Sequence, residues 1–322
     1  MPVIRQTLLT SFLIGLAVTS PSCVSPAAGQ TIVSPAAGRP SSLPLLAEHR
    51  YRMLARVRPL LFWISRDDVG GARVSWRGDR DGAVGFDLLI GSDPERAPRR
   101  VNKWGFIAEE VRGSDAQMLG VMKQSNEQSI KDAEKQLAGD AQGVYVFRAI
   151  QGVVNDGEAS ANVTSIRVAR DLTYRDVEPL LQKVAASPGV ETRSIALPDK
   201  TRPGFLVALA ELVNSNVESC QRQPGARPQP SRTSVSYVYF GTFYDMSVRA
   251  SELLRTTEIG GQHYANVARS DFEVRNRTTG EITRFQVTYH TTGALAGVPV
   301  HAIYQPRWWF EVQLFLDDQA RF

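Results

Sequence analysis

Cysteine is nearly absent: the 322 residues contain only Cys23 and Cys220. That excludes a disulfide scaffold and leaves stability to an ordinary core. Lysine is scarce as well, six against 31 arginines, and the formal net charge is only +4. So small an excess excludes a strongly basic chain, and nucleic acid is not an expected partner. The later apolar stretches, 59–64 and 205–210, are far short of the ~20 residues that a spanning helix needs. The sequence also lacks G-x-S-x-G, a P-loop, a G-x-G-x-x-G after a strand, H-E-x-x-H and C-x-x-C. These absences remove the families whose chemistry is tied to a local pattern. They leave open an enzyme with scattered catalytic groups.

What is present begins with a secretory signal. Arg5 is its charged region, and Leu8 to Val18 is an uncharged apolar run too short to cross a bilayer as a helix. Ala27-Ala28-Gly29 places small side chains at the cleavage site. Removal of residues 1–29 leaves a net charge of +3, because only Arg5 is lost. Cys23 offers a second route, lipidation, although Ser20-Pro21-Ser22 lacks the apolar residue a lipobox carries. That is the one membrane attachment expected. Val-Ser-Pro-Ala-Ala-Gly occurs twice, at 24–29 and 33–38, and residues 30–47 read as a flexible Pro/Ala/Ser tether.

A mixed α+β region follows over 48–220. Tyr51–Ile64, Ala72–Arg77 and Val84–Ile90 are strand-like. Between them, the Asp/Gly stretches 67–71 and 78–82 read as turns. Asp93-Pro94 with apolar spacing to Val111 predicts a helix. So does Ser114 with Gln117, a capping box ahead of apolar positions to Leu137. Asp176 caps a third helix over Val177–Ala186, and a fourth covers Pro203–Cys220. Strands are expected at Val144–Ile150, Val163–Ala169 and Thr192–Leu197. Residues 221–232, with three prolines and three arginines, form a linker or exposed loop. Residues 233–322 are an antiparallel β region with a hairpin turn at 276–280. The expected fold is α+β: a mainly antiparallel, curved sheet with three to four helices packed on one face. The helices and broken strand alternation exclude an outer-membrane barrel.

Each candidate site has a plain structural alternative. His290 and His301 fall on one face of an expected hairpin and, with His263, could begin a metal site, but the ligand spacing is missing. Asp67, Asp68, Asp79 and Asp81 cluster beside glycines, as tight turns require. Cys220 falls on the apolar side of a helix end, where a buried small hydrophobe is the common use. No catalytic residue, metal or cofactor is assigned. The aromatics carry the functional signal: 15 of the 27 lie in the last 90 residues. Tyr239, Phe243, Tyr304, Trp308 and Phe310 are the candidate ligand-binding residues. Alternation puts Trp308 and Phe310 on one face of a strand.

Three C-terminal stretches, Gly280–Tyr289, Leu295–Tyr304 and Trp309–Leu314, resemble uncharacterised bacterial secreted and envelope proteins. In those, such strands close a curved antiparallel sheet. The resemblance covers the C-terminal sheet region alone and implies location and sheet shape, with no residue role. The leading expectation is a non-catalytic secreted or periplasmic protein that holds an apolar or amphipathic ligand, a lipid for example, or a partner on the aromatic-rich sheet. The alternatives are a hydrolase with scattered Asp and His residues and a structural or assembly component of the envelope.

Overall fold

The structure is a computed structural model and describes residues 43–58, 62–97, 100–122, 144–169, 171–187, 190–223 and 228–322. The signal, Cys23 and most of the tether lie outside these residues. So does 123–143, the greater part of the helix expected after Ser114.

In chain order the strands are β1 (Leu45–Val57), β2 (Ile64–Gly78), β3 (Val84–Ser92), β4 (Trp104–Arg112), β5 (Asp115–Met122), β6 (Val144–Asn155) and β7 (Glu158–Ala169). Helix α1 (Val177–Ala186), β8 (Val190–Ala196), the short β9 (Arg202–Pro203) and helix α2 (Phe205–Arg222) follow. The chain ends with β10 (Ser234–Tyr239), β11 (Thr242–Ile259), β12 (Gln262–Asn276), β13 (Ile282–His290), β14 (Pro299–Arg307) and β15 (Phe310–Leu316). All the strands belong to one sheet in the order β8-β7-β6-β5-β4-β3-β2-β1-β15-β14-β13-β12-β11-β10-β9. Every neighbouring pair is antiparallel except β9 with β10. The first and last strands meet in the middle, with Tyr51 opposite Leu316 and Val57 opposite Phe310.

The sheet is rolled. Strands β5 and β10 are ten places apart in the strand order, so a flat sheet would hold them far from each other. Yet Phe240, in the β10–β11 turn, lies against Gly120 of β5 and Gly152 of β6. A Cβ at Gly120 would stand 2.7 Å from the Phe240 ring, so these two glycines make the room for it.

The expectation of three to four helices on one face is overturned. Among the described residues there are two α-helices, on opposite faces. Helix α1 packs with Trp104, Phe106, Ala108, Leu119, Val121 and Phe147. Helix α2 packs on the other face, with Ile107, Ala116, Met118 and the inward residues of β10–β13. Strand β4 is therefore buried on both sides and reads as an unbroken apolar run, not as alternation. That is why Trp104–Val111 matched helical spacing equally well. Ser114 begins no helix either; it stands in the turn before β5.

The other two helices form where their apolar spacing placed them. Ahead of α1, Thr173 caps a short 3-10 turn, and the Asp176 carboxylate accepts from the Thr173 N–H and hydroxyl. Asp176 makes no side-chain cap on α1 itself. The 67–71 stretch is inside β2 and is not a turn. Its glycines reflect close approach: a Cβ at Gly71 would meet Phe322, which stacks on Tyr174 at 4.1 Å between ring centroids. The 78–82 stretch ends β2 and enters a turn, where Asp79 Oδ1 accepts from the N–H groups of Asp81 and Ala83.

Candidate functional site

The rolled sheet has an inner face, and register identifies its residues. Ala47, Trp76, Phe86, Glu109, Met118 and Gly152 stand opposite one another across six strands. His49, Val74, Leu88, Ile107 and Gly120 form the next inner row. On the far wall Phe272, Phe285, Tyr304 and Val312 form another. Helix α2 lies between the walls, with Leu212, Asn216, Val217 and Cys220 buried.

Glu109 fixes that helix. It is 1% exposed and comes from the middle of β4. Its carboxylate accepts from the N–H groups of Phe205, Leu206 and Val207 at 2.7, 3.1 and 3.0 Å. These are the orphan donors of the first helical turn, where the helix dipole favours negative charge. The helix has no side-chain cap of its own and no acidic residue in its first turn. Gly204 precedes it at φ +88°, and a Cβ there would stand 2.2 Å from Glu109 Oε2. Burial pushes the Glu109 carboxyl up to about 7, against the three N–H donors, which pull it down.

From this cap a row of half-buried rings extends along the inner face. Phe205 meets Tyr237 and Phe285 edge-on at 6.2 and 6.0 Å. Phe285 stacks on Phe272 at 5.2 Å and pairs in register with Tyr304. Burial pushes the Tyr304 phenol up to about 12. On the opposite wall Phe86 pairs with both Glu109 and Trp76, and Trp76 meets His49 edge-on at 5.6 Å. Trp76, Phe86, Leu88, Phe205, Leu209, Phe285 and Tyr304 are all only partly buried. Beside them one enclosed polar atom has no partner, the Tyr237 hydroxyl.

The five aromatics singled out by sequence are dispersed. Tyr304 is in this row. Tyr239 is buried against Phe240, whereas Phe243 is half-buried on β11 opposite Val238. Phe310 is fully buried among Met53, Ala55 and Val312. Trp308 sits in the β14–β15 turn and is 67% exposed. Trp76, Phe86, Phe205 and Glu109 were missed. Alternation in β2 and β3 marks the first two. Glu109, an acid within an apolar run, signals a buried carboxyl but not the helix that it caps.

The other candidates separate too. His301 hydrogen-bonds Gln313 and stacks on Phe315, and His290 lies edge-on to Tyr264. Among the described residues no group of three His, Cys, Asp or Glu side chains is placed to hold a metal. Asp67 pairs with Arg52 and Asp68 with Arg96, at the opposite end of β2 from Asp79. Cys220 is buried, and burial raises its thiol.

No family model and no curated protein matches the chain. Among solved structures it is similar to a beta-barrel-like protein of a domain of unknown function from Brucella abortus. The identity is 8% and the TM-score 0.35, over 85% of this chain and 97% of that one. It is also similar to a protein described as a "putative lipoprotein" from Parabacteroides distasonis, at 8% identity and TM-score 0.27, over 86% and 96%. Likenesses at this level carry no argument about function.

Proposed function

We propose that the chain is a bacterial envelope protein that holds an apolar or amphipathic ligand on the inner face of its rolled sheet. The observation behind this is the row of half-buried rings from Trp76 and Phe86 through Phe205 to Phe285 and Tyr304. A row facing inward and only partly covered suits an acyl chain or a flat apolar body. The partnerless Tyr237 hydroxyl beside Phe205 favours a ligand with a polar end. Export rests on the signal at residues 1–29, and Cys23 lipidation is the alternative means of envelope retention. Among the described residues no helix is long and apolar enough to cross a membrane.

Non-catalytic binding is preferred to hydrolysis. Among the described residues His49 with Asp318 is the one His–carboxylate pair, at 3.2 Å, and no hydroxyl or thiol hydrogen-bonds that imidazole. Native mass spectrometry of the protein purified from its own envelope tests the carrier reading. We expect a co-purifying lipid mass that falls at least tenfold in a Trp76→Ala, Tyr304→Ala double variant. A ligand-free mass across conditions overturns the reading.

A further inference from the structure

At one end of the sheet the end of β1 and the start of β2 lie beside the β14–β15 turn. They are neighbours because β1 pairs with β15, and the Arg58 N–H donates to the Trp309 carbonyl at 2.8 Å. Between them they expose three large apolar side chains: Phe62 at 60%, Ile64 at 47% and Trp308 at 67%. Ile282, at the start of neighbouring β13, is exposed at the same end. Isolated exposed apolar residues need no explanation, but a group with two aromatics at its point does.

The charges around the tip are cationic. Arg56 is taken up by Glu311 at 2.9 Å and lies over the Trp63 ring at 5.1 Å. Arg58, Arg66 and Arg307 have no carboxylate partner among the described residues, and Arg58 Nε has no acceptor. Asp67 and Asp68, farther along β2, are engaged by Arg52 and Arg96. Glu281, next to Ile282, carries the opposite charge at the flank.

We propose that this tip docks on an anionic phospholipid surface. Tryptophan and phenylalanine favour the headgroup boundary, and arginine reaches headgroup phosphates while its stem stays apolar. Each unpaired arginine near an anionic bilayer strengthens partitioning by about fivefold. Phe62 and Trp308 lie beyond the strand ends and are largely exposed, so their rings are free to enter a lipid interface. The Trp309 ring beneath it is held against the Met53–Phe310 cluster, so the tip is backed by packed residues. This surface is distinct from the inner row, so the proposal stands or falls independently of ligand carriage.

The test uses residues 30–322, which include every described residue and carry no lipid. Sedimentation is measured with vesicles of phosphatidylglycerol and phosphatidylethanolamine, against vesicles of phosphatidylcholine alone. Preferential binding to the anionic vesicles is expected. It should fall at least tenfold in Phe62→Ser, Trp308→Ser, and lose most of its salt dependence in Arg58→Gln, Arg66→Gln, Arg307→Gln. Trp308→Phe should retain binding, and unchanged circular dichroism should show that each variant is folded. Absence of binding to anionic vesicles overturns the proposal. So does unchanged binding by the folded Ser variant. A concentration-dependent dimer lost in the Ser variant, without vesicle binding, would instead make the tip a self-association surface and likewise overturn the proposal.

Discussion

At the scale of single residues, Glu109 does what helix α2 cannot do for itself. Its three N–H partners sit with it inside the roll, so Glu109→Ala strands them. That should cost about 2–4 kcal/mol, read as a shift in denaturant midpoint. The charge adds a pH dependence. The carboxyl's ordinary value is 4.5, and in the fold burial moves it up to about 7. Between those values the folded chain holds the proton more tightly than the unfolded chain does. The associated stabilisation is fully present below about pH 4.5 and is lost as pH rises through about 7, on the order of 3 kcal/mol in all. Thermal unfolding of the parent and of Glu109→Gln between pH 4 and 8 should show this: the variant loses that part of the slope. Parallel profiles would rule it out.

At the scale of elements, the β10–β11 turn pins the roll. Phe240 has φ 46° and Gly241 has φ 72°. Such left-handed values suit a tight hairpin turn. An aromatic residue there is strained, and its packing over Gly120 and Gly152 offsets the cost. Gly120→Val should displace the ring and destabilise the fold by about 2–3 kcal/mol, with a second substitution, Phe240→Ala, recovering part of the loss. Equilibrium unfolding of the three variants measures the coupling.

Legibility in the sequence also divides by element. Strands in which polar and apolar residues alternate were readable: Ala72–Arg77 and Val84–Ile90 fall within β2 and β3. Helices with one apolar stripe, 177–186 and 205–222, were readable for the same reason. Strand β4 was not, because burial on both faces erases its period. The site was half legible. Tyr304 belongs to the inner row. Trp308 does not, because the strand alternation that paired it with Phe310 ends at the turn. The Glu109 contact with Phe205–Val207 joins segments distant in the chain, and no local pattern encodes it.

At the scale of the whole molecule, the sheet is two runs of strands joined at β1–β15. One run, β1 to β8, follows the order of synthesis; the other returns from β15 to β9. The joint is also the most distant pairing in sequence, so loop-closure entropy opposes it most. A chain ending at residue 307 keeps β1–β8 and β9–β14 and loses β15, the strand that joins them. We expect it to be insoluble or to expose apolar surface, measured as dye binding and soluble yield beside the full chain. A soluble truncated chain with the parent's near-ultraviolet spectrum would show that the runs associate without β15.

That joint also sets a timetable. Strand β1 emerges from the ribosome first, with β2 to cover one edge and nothing for the other until β15 is made. At ordinary synthesis rates that wait is on the order of tens of seconds. Throughout, the backbone N–H and C=O groups from Tyr51 to Val57 form an open edge able to recruit any extended segment. Wherever the chain folds, that edge stays open until β15 docks on it.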